Sequence, residues 1–130
     1  MHSIWVADDD EAIRLILEES LSSSGFETKS FSSGEELIKE LDASQPDLII
    51  TDVQMPGMLG YDLLKHINNN YEDIPVIIMT AFADMQAAVE SFGGGAFEYL
   101  PKPFDLEEAT EIINRALEDK PTTKGLKKDT

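Results

Sequence analysis

No cysteine occurs among the 130 residues, so disulfide scaffolds, zinc–thiolate centres and thiol redox chemistry are all excluded. Basic residues are also scarce: ten stand against 26 acids, for a net charge of −16. Four of those ten, Lys120, Lys124, Lys127 and Lys128, fall in the last eleven residues, so residues 1–118 carry 24 acids and six bases. A body this acidic repels a phosphate backbone, which argues against direct nucleic-acid binding. Uncharged apolar runs of membrane-spanning length are missing, and no basic segment followed by an apolar stretch precedes the first strand-like run. A soluble, cytoplasmic protein with no membrane contact is expected. The segment 119–130 has almost no apolar content and reads as a flexible linker or tail, leaving residues 1–118 as one domain large enough for a core without staples.

Apolar runs and amphipathic stretches alternate along that domain. Ile4-Trp5-Val6-Ala7 reads as a buried strand, and Ile13, Ile16, Leu17 and Leu21 then recur at helical spacing up to Gly25. Thr28–Phe31 is a weaker, more polar strand, and Ser32 with Glu35 matches a capping box opening a helix with Leu37, Ile38 and Leu41 on one face. Leu48-Ile49-Ile50 is the third strand, followed by a proline and glycine loop and a helix marked by Leu63, Leu64 and Ile67. Val76-Ile77-Ile78-Met79 is the most apolar strand, and Asp84 is placed to cap a helix with Met85, Ala88, Val89 and Phe92 on its face. After Gly93-Gly94-Gly95 a fifth strand covers Phe97–Leu100, Pro101-Lys102-Pro103 forces a turn, and Asp105 with Glu108 opens a last helix through Ala109, Ile112, Ile113, Ala116 and Leu117. Five strands alternating with five helices predict an α/β fold with a doubly wound parallel sheet.

Chemistry-bearing residues stand where the strands give out: Asp8-Asp9-Asp10, Thr51-Asp52, Thr80-Ala81 and Lys102-Pro103. Parallel strands bring their carboxyl ends to one edge, where ligands of such folds bind. Asp8, Asp9 and Asp52 crowd like charges that repel unless a cation is present, and oxygen ligands alone suit a hard ion such as magnesium rather than calcium. Asp52 could then accept a phosphoryl group as a carboxylate nucleophile, with Lys102, the Thr80 hydroxyl and the Ala81 amide holding its oxygens. Aspartates at strand ends also serve as helix caps, which is the first reading of Asp10, Asp84 and Asp105.

Asp8-Asp9, Asp52 followed by Met55-Pro56-Gly57, Thr80-Ala81, and Tyr99-Leu100-Pro101-Lys102-Pro103-Phe104 resemble the motifs of two-component response regulator receiver domains, in order and over residues 3–118. The stretches Trp5–Asp10 and Gly95–Asp105 are most similar to receivers of the NtrC type. That resemblance implies a flavodoxin-like fold and transfer of phosphate from a sensor histidine kinase to Asp52. It implies magnesium held by Asp9, Asp52 and the Gln54 backbone carbonyl, with Asp8 acting through water, and a cis Lys102–Pro103 bond. It implies a switch through Thr80 and Tyr99, slow self-dephosphorylation rather than turnover, and a dimer formed on phosphorylation. Receivers of this type head transcription activators with ATPase and DNA-binding modules, neither of which is present in these residues.

Two departures stand out. The family often has an acid where Leu59 stands, which should leave the metal shell intact but alter the adjoining loop. Gly93 and Gly94 add to the expected Gly95, and at roughly 1 kcal/mol per interior helix glycine the end of the fourth helix is expected to melt or shift easily. Phe82, Met85 and Phe92 are candidates for a partner surface, although the helical spacing of Met85 and Phe92 fits a core face better, whereas His2 and His66 have no neighbours for catalysis. Two other classes compete with the switch. An aspartyl-phosphate hydrolase wants a second acid two residues after its nucleophile, where Gln54 stands, and a pseudo-receiver would not need the full set of acids, Thr80 and Lys102.

Overall fold

A computed structural model of the chain describes residues 2–55, 57–92 and 95–119. The tail 120–130, the glycines Gly93 and Gly94, and the side chains of Phe82 and Phe92 lie outside the described residues, and with them the expectations placed there. The elements run β1 (Ser3–Ala7), α1 (Glu11–Ser23), β2 (Glu27–Phe31), α2 (Gly34–Leu41), β3 (Leu48–Asp52), α3 (Gly60–Asn70), β4 (Val76–Ala81), α4 (Met85–Phe92), β5 (Glu98–Lys102) and α5 (Leu106–Asp119). All four strand pairings are parallel, in the order β2-β1-β3-β4-β5. The expected doubly wound fold is what forms.

Alternation along the strands divides the core into two layers, because successive side chains point to opposite faces of a sheet. Ile4 and Val6 join Leu48, Ile50, Ile77 and Met79 beneath α1 and α5, packing on Leu17, Leu21, Ile113 and Ala116. Trp5 and Ala7 join Ile49, Val76 and Ile78 on the other face, under Leu37, Leu41, Leu63 and Ile67. Burying a side chain of this size contributes about 1.5–3 kcal/mol, and the central strands β1, β3 and β4 are buried along nearly their whole length. Each ends at the same edge.

Four local expectations need correction. Ile16 is 49% exposed and only Leu17 and Leu21 of the α1 set are fully buried. The cap of α2 is Ser33, whose Oγ accepts from the Glu36 amide at 3.2 Å, while the Glu36 carboxylate accepts from the Ser32 amide. Ser-Ser-Gly-Glu-Glu offers a capping serine in two overlapping registers, and the later one forms, with the return bond from Glu36 reaching Ser32 and not the cap residue itself. Pro101 does not end the fifth strand, since β5 continues to Lys102 with Thr80 opposite Pro101 and Ala81 opposite Lys102. An edge strand tolerates proline because its outward N–H is not needed for the ladder. Finally, α4 follows a 3-10 turn at Phe82–Asp84 and buries Ala88 alone among its described side chains, with Val89 42% exposed. Two of the three aspartate caps stand as read: Asp10 accepts from the Ala12 amide, and Asp105 accepts from the Glu108 amide at 2.7 Å, whereas Asp84 falls inside the 3-10 turn.

Candidate functional site

Asp52 is the last residue of β3, and Asp8 and Asp9 follow β1 directly, so adjacent parallel strands deliver the three acids to one place. One carboxylate oxygen from each lies within 4.8 Å of the others. Asp8 is fully buried and held on several sides. Its amide donates to Phe31 O, its Oδ1 accepts from the Asp10 amide at 2.9 Å, and its Oδ2 accepts from Lys102 Nζ at 3.1 Å. Asp9 is exposed and Asp52 half-buried. Lys102, delivered by the end of β5, reaches across β4 to bridge Asp8 and Asp52, the latter at 3.3 Å from Oδ1.

Electrostatics follow from that crowding. Burial, and then the charge of Asp8, push the Asp52 carboxyl above its ordinary range, against the opposing pull of Lys102. The Lys102 ammonium is disfavoured by burial, but Asp52 and Asp8 outweigh that and raise its pKa. Three carboxylates facing one ammonium leave an excess of negative charge. An all-oxygen donor set with that excess fits a divalent hard cation, and its few protein ligands leave positions for water.

The other face of Asp52 opens into a cleft of about 760 Å³. Thr80, only 4% exposed at the end of β4, lines it together with Ala81, Gln54 and Lys102. Every residue expected in the pocket is therefore at the same sheet edge, with Asp52 between the acid pair and the cleft. Tyr99 lies further back on β5, opposite Ile78, half-buried against the core layer that contains Ala88. Burial, then the neighbouring Glu98, raises its phenol pKa. His2 is exposed, and His66 is half-buried with its ring 6.3 Å from that of Tyr71, remote from this set.

The loop between β3 and α3 closes tightly over Asp52. The Gly60 amide donates to Val53 O at 2.8 Å, and a Cβ at residue 60 would overlap the Asp52 carbonyl oxygen, so glycine alone fits there. Gly57 turns the loop with φ +86°, the left-handed region glycine adopts most readily. The Asp52 Oδ1 accepts from the Val53 amide at 2.9 Å, and the Thr51 hydroxyl donates to the Asp52 carbonyl. Leu59 occupies the cap position of α3 with no side-chain cap bond, is 48% exposed and lines the cleft beside Tyr61. The Lys102–Pro103 bond is cis, as the resemblance implied. Sequence reasoning missed Gly60 and Arg14, whose Nη1 donates to the Asp8 carbonyl at 2.7 Å. Neither carries a spacing signal, since one contact depends on how the β3–α3 loop folds back and the other on how α1 lies against the turn after β1.

Comparison with known proteins agrees with this geometry. The response regulator receiver domain family matches residues 4–114. The DNA-binding transcriptional regulator NtrC of Klebsiella pneumoniae is 46% identical over 113 residues, covering 87% of this chain and 24% of that protein. NtrC of Rhizobium meliloti is 43% identical over 88% of this chain and 24% of its own length. The chain thus spans about a quarter of the curated relatives it matches. Among solved structures, the apo receiver domain of nitrogen regulatory protein C superposes with a TM-score of 0.81 at 44% identity, covering 90% of this chain and 94% of that one. TrrA of Thermotoga maritima, solved in complex with Mg(2+)-BeF, gives 0.80 at 32% identity over 89% and 99% of the two chains. By sequence and by fold, this chain belongs to the response regulator receiver domain family, as a receiver of the NtrC type.

Proposed function

We propose that this domain, residues 1–118, is a phosphoacceptor switch: Asp52 takes a phosphoryl group from the phosphohistidine of a sensor histidine kinase in the cytoplasm. The observation carrying this reading is the bridge from Lys102 to both Asp8 and Asp52 beside an open cleft, which puts a nucleophile, a surplus of acids and a counter-charge together. In the reaction an Asp52 oxygen attacks phosphorus, the phosphorus–nitrogen bond to the imidazole breaks, and an acyl phosphate remains. Val53 N–H and the nearest approach of Lys102 both fall on Oδ1, which leaves Oδ2 for the attack.

Asp8, Asp9, Asp52 and the Gln54 carbonyl would hold a magnesium ion, which supplies charge neutralisation for the phosphoryl oxygens. Lys102 exchanges part of its contact with the carboxylates for a phosphoryl oxygen, and the Thr80 hydroxyl and Ala81 amide receive another. Phosphoryl transfer needs such positioning more than covalent help. Drawing Thr80 toward the phosphoryl group vacates space beside α4, into which Tyr99 turns. Gln54, lacking a proton-accepting carboxylate, keeps hydrolysis slow, so the domain stores a signal rather than turning over a substrate. In the full protein that signal regulates transcription, in keeping with relatives described as DNA-binding transcriptional regulators.

Incubation with acetyl phosphate and magnesium, followed by intact mass, tests this. One persistent phosphate adduct is expected, absent in Asp52→Asn. Continuous phosphate release with no adduct would instead favour a hydrolase.

A further inference from the structure

We infer that Arg14 is a positioning residue for the cation site, acting through the backbone of Asp8. The inference rests on the reading of Asp8, Asp9 and Asp52 as that site. Asp8 stands one residue beyond β1, where the paired register with β3 has stopped at Ala7 and Thr51. It is fully buried, and a buried carbonyl past the end of a strand needs a donor. Arg14 supplies one from the first turns of α1, with Nη1 at 2.7 Å, a short charge-assisted bond.

The turn between them is otherwise tied by Asp10. Its amide donates to Asp8 Oδ1, its side chain caps α1, and its carbonyl accepts from the Arg14 amide at 3.1 Å. Arg14 therefore closes a loop of bonds that begins and ends on Asp8, fixing the peptide that joins Asp8 to Asp9. Lys102 and the Asp10 amide orient the Asp8 carboxylate, but among the described residues Arg14 is the side chain bonded to its carbonyl. Without that bond the turn carrying two of the three acids can rotate, and partners of this kind typically contribute 10–100-fold in metal affinity.

Charge and geometry predict opposite signs, which makes the role testable. Arg14 is a cation near the acids, so removing it by charge alone would tighten binding of a divalent cation. Loss of positioning would weaken it. Calorimetric titration of magnesium into the wild-type chain, Arg14→Ala and Arg14→Lys separates the two, with the thermal midpoint of each variant recorded without metal. The expected result is a dissociation constant about tenfold higher in Arg14→Ala, recovered in large part in Arg14→Lys. Unchanged or tighter binding in Arg14→Ala overturns the inference, as does weakening that Arg14→Lys fails to recover. Absence of binding in the wild type would refute the cation site itself.

Discussion

Asp52 holds its charge where burial and Asp8 both disfavour it, so ionising it costs the folded chain stability. Because its folded pKa is raised above the ordinary value of 3.8, the folded state keeps the proton longer than the unfolded state. Stability from this group therefore falls as pH rises from the unfolded value through the folded one, and stays lowered at neutral pH. Asp52→Asn removes the penalty. Thermal melts without metal should show the variant gaining on the wild type across the weakly acidic range, with the gap persisting at pH 7. Lys102 runs the other way. Its raised pKa gives stability that is present below 10.5 and lost as pH climbs through the folded value. Lys102→Met leaves the buried Asp8 carboxylate without its ammonium, a loss of about 1–3 kcal/mol in denaturant titrations at pH 7. That deficit should shrink at strongly alkaline pH.

At the scale of elements, α3 begins under an odd constraint. Leu59 has the extended backbone of a cap, φ −74° and ψ 156°, but no side-chain acceptor for the first free amides. Leu59→Asn supplies one, and a cap of this kind contributes about 1 kcal/mol, raising the melting temperature by roughly 4 °C. The α2 cap, the narrow buried face of α4 and the run of β5 through Pro101 share a feature: none was decided by local pattern alone. Two overlapping serine caps look equally good by pattern, and the folded chain uses Ser33. Proline looks like a strand breaker until β5 proves to be an edge. Ile16 fits a helical period, yet α1 offers the sheet only the stripe through Leu17 and Leu21. Position along the strands was readable because parallel pairing leaves no freedom once the apolar runs are identified. Contacts that form only when the elements pack, such as Gly60 on Asp52 and Arg14 on Asp8, have no trace in spacing.

For the whole molecule, the fold converts order along the chain into convergence in space. Acids just past β1 and at the end of β3, a hydroxyl on β4 and an amine on β5 come from residues up to 94 positions apart, as in the bond from Lys102 to Asp8. The two-layered core anchors the strands that end at that edge, and the chain's net charge of −16 keeps anions away unless a cation mediates. The phosphoacceptor role of Asp52 is tested by titrating the isotopically labelled chain with beryllium fluoride and magnesium and following its amide resonances. Saturable, magnesium-dependent shifts are expected, centred on Asp52, Val53, Thr80, Ala81 and Lys102, extending to Tyr99, and lost in Asp52→Asn. Shifts that persist in Asp52→Asn, or that centre away from the ends of β3, β4 and β5, would contradict that role.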